Sequence, residues 1–349
     1  MTTASTLDAA SVQHLIRLSD LDDRLLDEIL DLSDRLKDRP GRGELAGRNV
    51  GMLFFRRSLR TRASFEAAIQ KLGGSAVNLT GMSDIWELES REGSVMDGRP
   101  PEHVRDAARV LSSYVDALAI RPALAGNRWA EDRTDADIRA WARFSTVPVI
   151  NMESAMWHPL QALADLMTMR ATLGDRSRRD LAGRRIAIVW THSPESASVS
   201  VVHSLLLASL RFGMDVRLAH PNGFELDAAV VEQARTLADS TAGSLEITGD
   251  KNAAVDGAHV VYARSWRSLE TYGNATLDAS RRATHRDWRV DEALLARGDD
   301  ARLMHAMPVR RNVEATDEVL DGPRSLMYVQ AENRLHSQKA LLARLLGSN

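Results

Sequence analysis

Residues 50–72 read VGMLFFRRSLRTRASFEAAIQKL. The apolar run over 50–55 shows no alternation, the pattern of a strand buried on both faces. A polar turn follows. From 61 to 72, Phe65, Ala68, Ile69 and Leu72 fall on one helical stripe. A strand, a tight turn and a helix make half of a β–α–β unit, so a parallel sheet is expected.

The same alternation continues outward. Further strands are expected over 76–79, 115–120 and 147–150, and helices over 103–113 and 159–173, the last read as long and amphipathic. The second half repeats the theme, with strands over 185–190, 216–219, 260–263 and 302–305 and helices over 198–212, 226–238 and 331–346. The expectation is an α/β protein of two doubly wound parallel-sheet domains linked by helices. They span 1–160 and 161–330, and the C-terminal helix, 331–349, packs back on the first. Residues 81–101 and 264–289 lack periodicity and read as functional loops.

Composition narrows the function. The 349 residues are 44% hydrophobic, enough for a sizeable core, and the net charge is -3. That balance gives no reason to expect nucleic acid or an anionic membrane as partner. Cysteine is absent, which removes disulfides, thiolate metal sites and cysteine nucleophiles. The first twenty residues carry no basic segment followed by an apolar run, and no stretch of about 18 apolar residues occurs, so a cytoplasmic chain without signal peptide or membrane span is expected. Of the 45 basic residues only Lys37, Lys71, Lys251 and Lys339 are lysines.

Three local signals carry chemistry. Ser58-Leu59-Arg60-Thr61-Arg62 opens a helix directly after a strand. Free N–H groups, two hydroxyls and two guanidinium forks suit a phosphate there. The plainer reading is a capping serine followed by solvated arginines. His158-Pro159-Leu160-Gln161 starts another helix, with proline at a first-turn position. The histidine suits a carbonyl oxygen and the glutamine an amide; the plainer reading is a capping histidine and an exposed glutamine. His305-Ala306-Met307-Pro308-Val309-Arg310-Arg311 follows a strand of the second half, where either arginine suits a carboxylate and the plainer reading is a polar turn. Gly41-Arg42-Gly43 precedes a strand instead of following one, so it reads as a loop and not a dinucleotide site. His192, His203 and His305 lack metal-ligand spacing, and Trp129 and Trp141 read as packing residues.

In this order, S-x-R-T-R, H-P-x-Q and H-x-x-P-x-R resemble the signature of the aspartate/ornithine carbamoyltransferase family. The resemblance runs from about residue 47 to the end. It is nearest to the members that act on N-acylated ornithine, through Trp86-Glu87-Leu88-Glu89, Val95-Met96-Asp97-Gly98, Asn151-Met152-Glu153, Tyr262-Ala263-Arg264-Ser265-Trp266 and Glu332-Asn333-Arg334. It implies that Ser58, Leu59, Arg60 and Thr61 cradle the phosphate of carbamoyl phosphate. Arg121, His158 and Thr61 would polarise the carbonyl, and Gln161 would hold the amide. Ala306, Met307 and Arg334 would complete the pocket, and Trp86 would arrive from the neighbouring subunit of a homotrimer with shared sites. Arg60, Thr61, Arg121 and His158 are thus the expected catalytic set, with no metal and no cofactor. The two halves would bind carbamoyl phosphate and the ornithine derivative respectively.

For the acceptor, the resemblance implies Glu153 at the amine end, Arg264 and Arg310 at carboxylates, and Pro101 and Ser193 near the acyl group. Acetyl-type relatives carry glutamate where Pro101 stands. Removing that carboxylate relieves repulsion of a succinyl tail, and the five-residue step from Glu153 to His158 also resembles the succinyl type. N-succinylornithine is therefore the expected acceptor in arginine biosynthesis, with N-acetylornithine as the alternative and free ornithine third. Several positions depart from the family pattern. Arg264 stands for lysine, Ala306 and Met307 for cysteine and leucine, Ser193 for histidine, and Glu314 for a modified lysine. The Ala306, Met307 and Ser193 departures motivate a lesser alternative, a non-catalytic carbamoyltransferase-like binding protein.

Overall fold

Strand β1 (Asn49–Phe54) is buried from Val50 to Phe54 and lies inside a four-stranded sheet. A computed structural model describes residues 13–39, 41–81, 83–174 and 176–347. The reading of the extreme N-terminus, residues 1–12, therefore lies outside the described residues. With β2 (Ser75–Thr80), β3 (Ala117–Arg121) and β4 (Val149–Asn151), the first sheet has the order β2-β1-β3-β4, all parallel. Helices α2 (Arg60–Lys71), α3 (Val104–Ser112) and α4 (Ala136–Phe144) belong to this half. Gly51 lets the adjacent strand pack closely: a Cβ there would stand 3.0 Å from Leu118 Cδ2, which would have to give way.

The second sheet is also parallel. It comprises β5 (Arg185–Trp190), β6 (Asp215–Ala219), β7 (Ser244–Thr248), β8 (Val260–Arg264) and β9 (Arg302–Met304), in the order β9-β8-β5-β6-β7. Helices α6 (Ser200–Arg211) and α7 (Ala228–Ser240) pack on it, and α8 (Ala275–Ala283) lies in the connection between β8 and β9. Its core holds Trp190, Trp266, Tyr262 and Phe224, and the two tryptophans satisfy their polar ends locally. Trp190 Nε1 donates to Trp266 O at 2.9 Å, and Trp266 Nε1 donates to Phe224 O at 2.8 Å.

The alternation of strands and helices is thus as the sequence implies, and the differences have local causes. Strand β7 was not foreseen, because it lies at a sheet edge and few of its side chains are buried. Helix α8 interrupts the segment read as loop over 264–289, and Arg264 itself ends β8. Helix α5 (Pro159–Leu173) is not amphipathic: every residue from Pro159 to Arg170 is buried, so it is surrounded by protein. Helix α9 (Met327–Leu346) starts earlier than expected and packs on α5, on α2 and on α1 (Asp23–Asp38), all from the first half of the chain.

A polar network pins α5 and α9 to the second sheet. Asp165 of α5 accepts from Gln161 Nε2 at 2.8 Å, Gln330 Nε2 at 2.7 Å and Tyr262 OH at 3.1 Å. Gln330 Oε1 accepts in turn from the His305 N–H at 2.9 Å. Burial pushes the Asp165 carboxyl up to about 6, while the donors oppose that rise. A carboxylate whose folded value is raised favours the fold below its ordinary value near 4, and loses that contribution as pH climbs through 6. Tyr262→Phe removes one donor and raises the carboxyl further. It is expected to destabilise the protein by about 1–3 kcal/mol at pH 8 and by less at pH 5, measured as the shift in urea denaturation.

Candidate active site

All strands of each sheet run the same way, so each sheet gathers its C-terminal ends on one edge, and the two edges meet around a cavity of about 710 Å3. From the first sheet come residues 56–61 after β1, Arg121 at the end of β3, and Glu153 and His158 after β4. From the second come Ser193 and residues 195–199 after β5, Arg264, Ser265 and Arg267 around the end of β8, and residues 306–310 after β9. In each sheet the order reverses at a strand pair whose loops line the cavity, β1 and β3 in one, β5 and β8 in the other. Such switch points open a crevice for ligands. Eight arginines line the space against three glutamates, so it attracts anions.

Glu153 organises the first wall. Its backbone has φ 132°, a strained conformation for a residue with a side chain, costing roughly 1–3 kcal/mol. Two bonds hold it there: the Glu153 N–H donates to Asn151 Oδ1 at 3.0 Å, and Arg56 donates to the Glu153 carbonyl. The Glu153 carboxylate pairs with Arg121 and accepts from Ser200 Oγ at 3.1 Å. Burial pushes this carboxyl up, but the cations Arg121, Arg56 and Arg264 outweigh it and hold the group ionised, well below the usual range.

His158 is poised as a neutral donor. Burial drives its imidazole well below the ordinary value; Glu153 opposes this, and Arg334, Arg121 and Arg264 reinforce it. Its Nδ1 accepts from the Gln161 N–H at 3.3 Å, so the proton of the neutral ring sits on Nε2. Nε2 lies 3.9 Å from Glu153 Oε2. Thr61 Oγ1 accepts from Arg334, which leaves its own hydrogen free to donate. Gln161 is buried and bound to Asp165, not exposed.

The second wall is more self-paired. Arg264 donates to the Ala306 carbonyl at 2.7 Å. His305 Nε2 and Glu314 Oε2 lie 2.7 Å apart, both buried. Burial lowers His305 and raises Glu314, and their mutual attraction opposes both effects. Arg310 pairs with Glu195 at 2.8 Å at the rim.

The structure thus brings Ser58, Leu59, Arg60, Thr61, Arg121, Glu153, His158, Gln161, Ser193, Arg264, Ala306, Met307, Arg310 and Arg334 to one cavity. Ser58 makes no capping bond to α2, so that plainer reading does not hold, whereas His158 both caps α5 and lines the space. Arg62 turns away, donating to Thr80 Oγ1 at 2.9 Å and stacking 4.1 Å over Phe54. Arg311 is taken up by Asp317 and Asp321. Trp86 and Pro101 are exposed and do not line the cavity of their own chain. Trp141 is core, but Trp129 is not merely a packing residue: it lines the cavity and donates to Asp227 Oδ2 at 2.7 Å across the two halves. Arg56, Arg57, Arg267, Tyr272 and Glu195 were missed. Only Arg56 and Arg57 carried a legible signal, a pair of cations directly at the end of a buried strand.

A crevice between the C-terminal edges of two parallel sheets, rich in guanidinium groups and holding a neutral histidine donor, defines an enzyme that works on an anionic acyl or phosphoryl compound. Family profiles are specific about which. Residues 13–171 match the carbamoyl-P binding domain of aspartate/ornithine carbamoyltransferase, and residues 182–345 match its Asp/Orn binding domain. The N-acetylornithine carbamoyltransferase of Xanthomonas campestris pv. campestris is 37% identical over 340 residues, 97% of this chain and 99% of that one. The ornithine carbamoyltransferase of a Parafrankia species is 39% identical over 342 residues, 96% of each chain. The crystal structure of acetylornithine transcarbamylase with acetylcitrulline superposes at a TM-score of 0.93, 37% identity, covering 97% of this chain and 100% of that one. A glutamate-to-proline mutant of N-acetyl-L-ornithine transcarbamylase, with carbamyl phosphate and N-succinyl-L-norvaline, superposes at 0.91 with 38% identity, covering 96% and 100%. The chain belongs to the aspartate/ornithine carbamoyltransferase family and is a carbamoyltransferase. Among the described residues no helix is long and apolar enough to cross a membrane.

The neutral state of His158 is directly measurable. Its ring proton shifts in NMR are expected to stay flat between pH 5.5 and 8; a titration centred near 6.5 that disappears in His158→Asn would contradict the assigned protonation state.

Proposed function

We propose that the chain transfers the carbamoyl group of carbamoyl phosphate to the δ-amine of an N-acylated ornithine. The observation that carries this reading is the convergence of the 58–61 turn, Arg121 and His158 on one cavity with a large excess of positive charge. The phosphate would lie on the N–H groups opening α2 with Ser58, Arg60 and Thr61 around it. The carbonyl oxygen would meet the Thr61 hydroxyl, Arg121 and the His158 Nε2–H, three donors aimed where negative charge develops. Gln161, Ala306, Met307 and Arg334 would close the pocket.

The chemistry then needs no nucleophile from the protein. The δ-amine, with an ordinary pKa near ~10.4, attacks in its neutral form. The nitrogen–carbon bond forms, the carbon–oxygen bond to phosphate breaks, and the departing phosphate takes the proton. Orientation and electrostatic preorganisation supply the acceleration. Glu153 would release part of its hold on Arg121 when the donor binds and face the acceptor's amine, while Arg264 and Arg310 take its carboxylate. Trp86 and Pro101, outside the cavity of their own chain, would reach the site of a neighbouring copy in a trimer.

The relatives favour N-acetylornithine, or else ornithine, as acceptor over the N-succinylornithine that the sequence pattern led us to expect, since carbamoyltransferases for both align over almost the whole length. One observation keeps the succinyl reading. The glutamate-to-proline mutant was crystallised with N-succinyl-L-norvaline, and this chain carries Pro101 where the resemblance sets a glutamate. Ureido-product assays with acetylornithine, succinylornithine and ornithine decide. A kcat/KM at least tenfold higher for acetylornithine establishes the first reading, and the reverse ratio the second. Failure of all three with carbamoyl phosphate bound refutes catalysis altogether. Pro101→Glu is expected to lower the succinyl-to-acetyl ratio of kcat/KM. Arg60→Ala is expected to weaken carbamoyl phosphate binding about 10- to 100-fold, the worth of a charge-assisted bond, read by isothermal titration.

A further inference from the structure

A second cavity, of about 460 Å3, lies against the 192–194 loop. Ser193 lines both it and the active cavity, so this loop forms part of the wall between them. Arg282, Arg286 and Arg289 line the second space with His192 and Asn312, and no carboxylate does. A volume of this size admits a small organic anion.

The charge there is incompletely compensated. Arg282 is 3% exposed; its Nη2 reaches Asp278 Oδ2 at 3.0 Å and the Pro194 carbonyl at 3.2 Å, while its buried Nε and Nη1 meet no acceptor. Among the described residues Arg289 pairs only with Asp291, at 3.8 Å. Arg286 forms no ion pair among the described residues. Arg286 and Arg289 are exposed and partly screened by water, and an anion joining them to the buried Arg282 relieves the repulsion that remains.

We propose that this cavity is a second anion site, taking a small oxyanion, a dicarboxylate or phosphate, and that occupancy acts on the active cavity through the loop between them. Arg282 connects the two. Its Nη2 holds the Pro194 carbonyl, and its own carbonyl accepts from His192 Nδ1 at 3.0 Å. An anion that draws the guanidinium toward itself through Nε or Nη1 turns Nη2 away from the Pro194 carbonyl. Glu195, the next residue, pairs with Arg310 at the rim of the active cavity. A shift of the loop therefore changes how Arg310 is presented to the acceptor.

The test fills the active cavity first, with carbamoyl phosphate and N-acetylnorvaline, which lacks the reacting amine. Malonate, and separately inorganic phosphate, are then titrated calorimetrically. One remaining site per chain is expected, weakened at least tenfold in an Arg286→Ala, Arg289→Ala double variant whose anion-free kcat stays within twofold. Repeating the titration with N-succinylnorvaline identifies the source of the anion. Loss of the remaining site then shows that the acceptor's own tail fills it, and persistence shows a separate ion. No heat beyond dilution with the active cavity filled, or binding unaffected by the double substitution, overturns the site. Malonate is also expected to raise the acceptor KM more in the unsubstituted protein than in the double variant; equal effects overturn the coupling.

Discussion

An ionised glutamate held among cations, Glu153, is the constraint around which the active cavity is arranged. A buried carboxylate is costly unless charge and hydrogen bonds compensate it, and a buried cluster of arginines is costly for the opposite reason. Glu153 meets both requirements, pairing with Arg121 while Arg56 fixes its backbone. Burial, with the surrounding Arg334, Arg121 and Arg264, keeps His158 neutral against the pull of Glu153. One carboxylate thus makes a positively charged cavity tolerable before any ligand enters, and leaves the charge to be completed by an anion.

The fold supports this by directing strands instead of relying on flexible loops. Parallel sheets align their strand ends, and the switch points leave room between the loops that follow. Helix α5, buried all round, and helix α9, folded back onto the first half, meet the second sheet through Asp165, Gln330 and Tyr262. Arg334 sits one turn further along α9 and reaches Thr61. The scaffold bonds and the active cavity therefore share a helix, which gives the two walls a fixed relation.

Much of this was legible in the sequence because it depends on short-range pattern. The run VGMLFF reads as a doubly buried strand because it is short and followed by a polar turn, and the stripe after that turn marks the helix that opens at the cavity. Likewise His158-Pro159 marks a helix start on any reading. What was not legible depends on the surroundings. The direction of Arg62 is set by Phe54 and Thr80, and nothing in the spacing distinguishes it from Arg60. Trp129 looks like any tryptophan of an amphipathic turn until Asp227, 98 residues away, is placed beside it. The α5 stripe reads as amphipathic because Gln161, Asp165, Thr168 and Arg170 are polar, yet each is buried in the folded chain.

The central claim is spatial: the opening of α2, Arg121 and His158 bind one small molecule together. A crystal structure of the chain with carbamoyl phosphate bound tests it most directly. The account predicts the phosphate on the N–H groups of residues 59–61 and the carbonyl oxygen within hydrogen-bond distance of Arg121 and His158 Nε2. Phosphate density elsewhere, or a bound ligand that leaves His158 untouched, would contradict it.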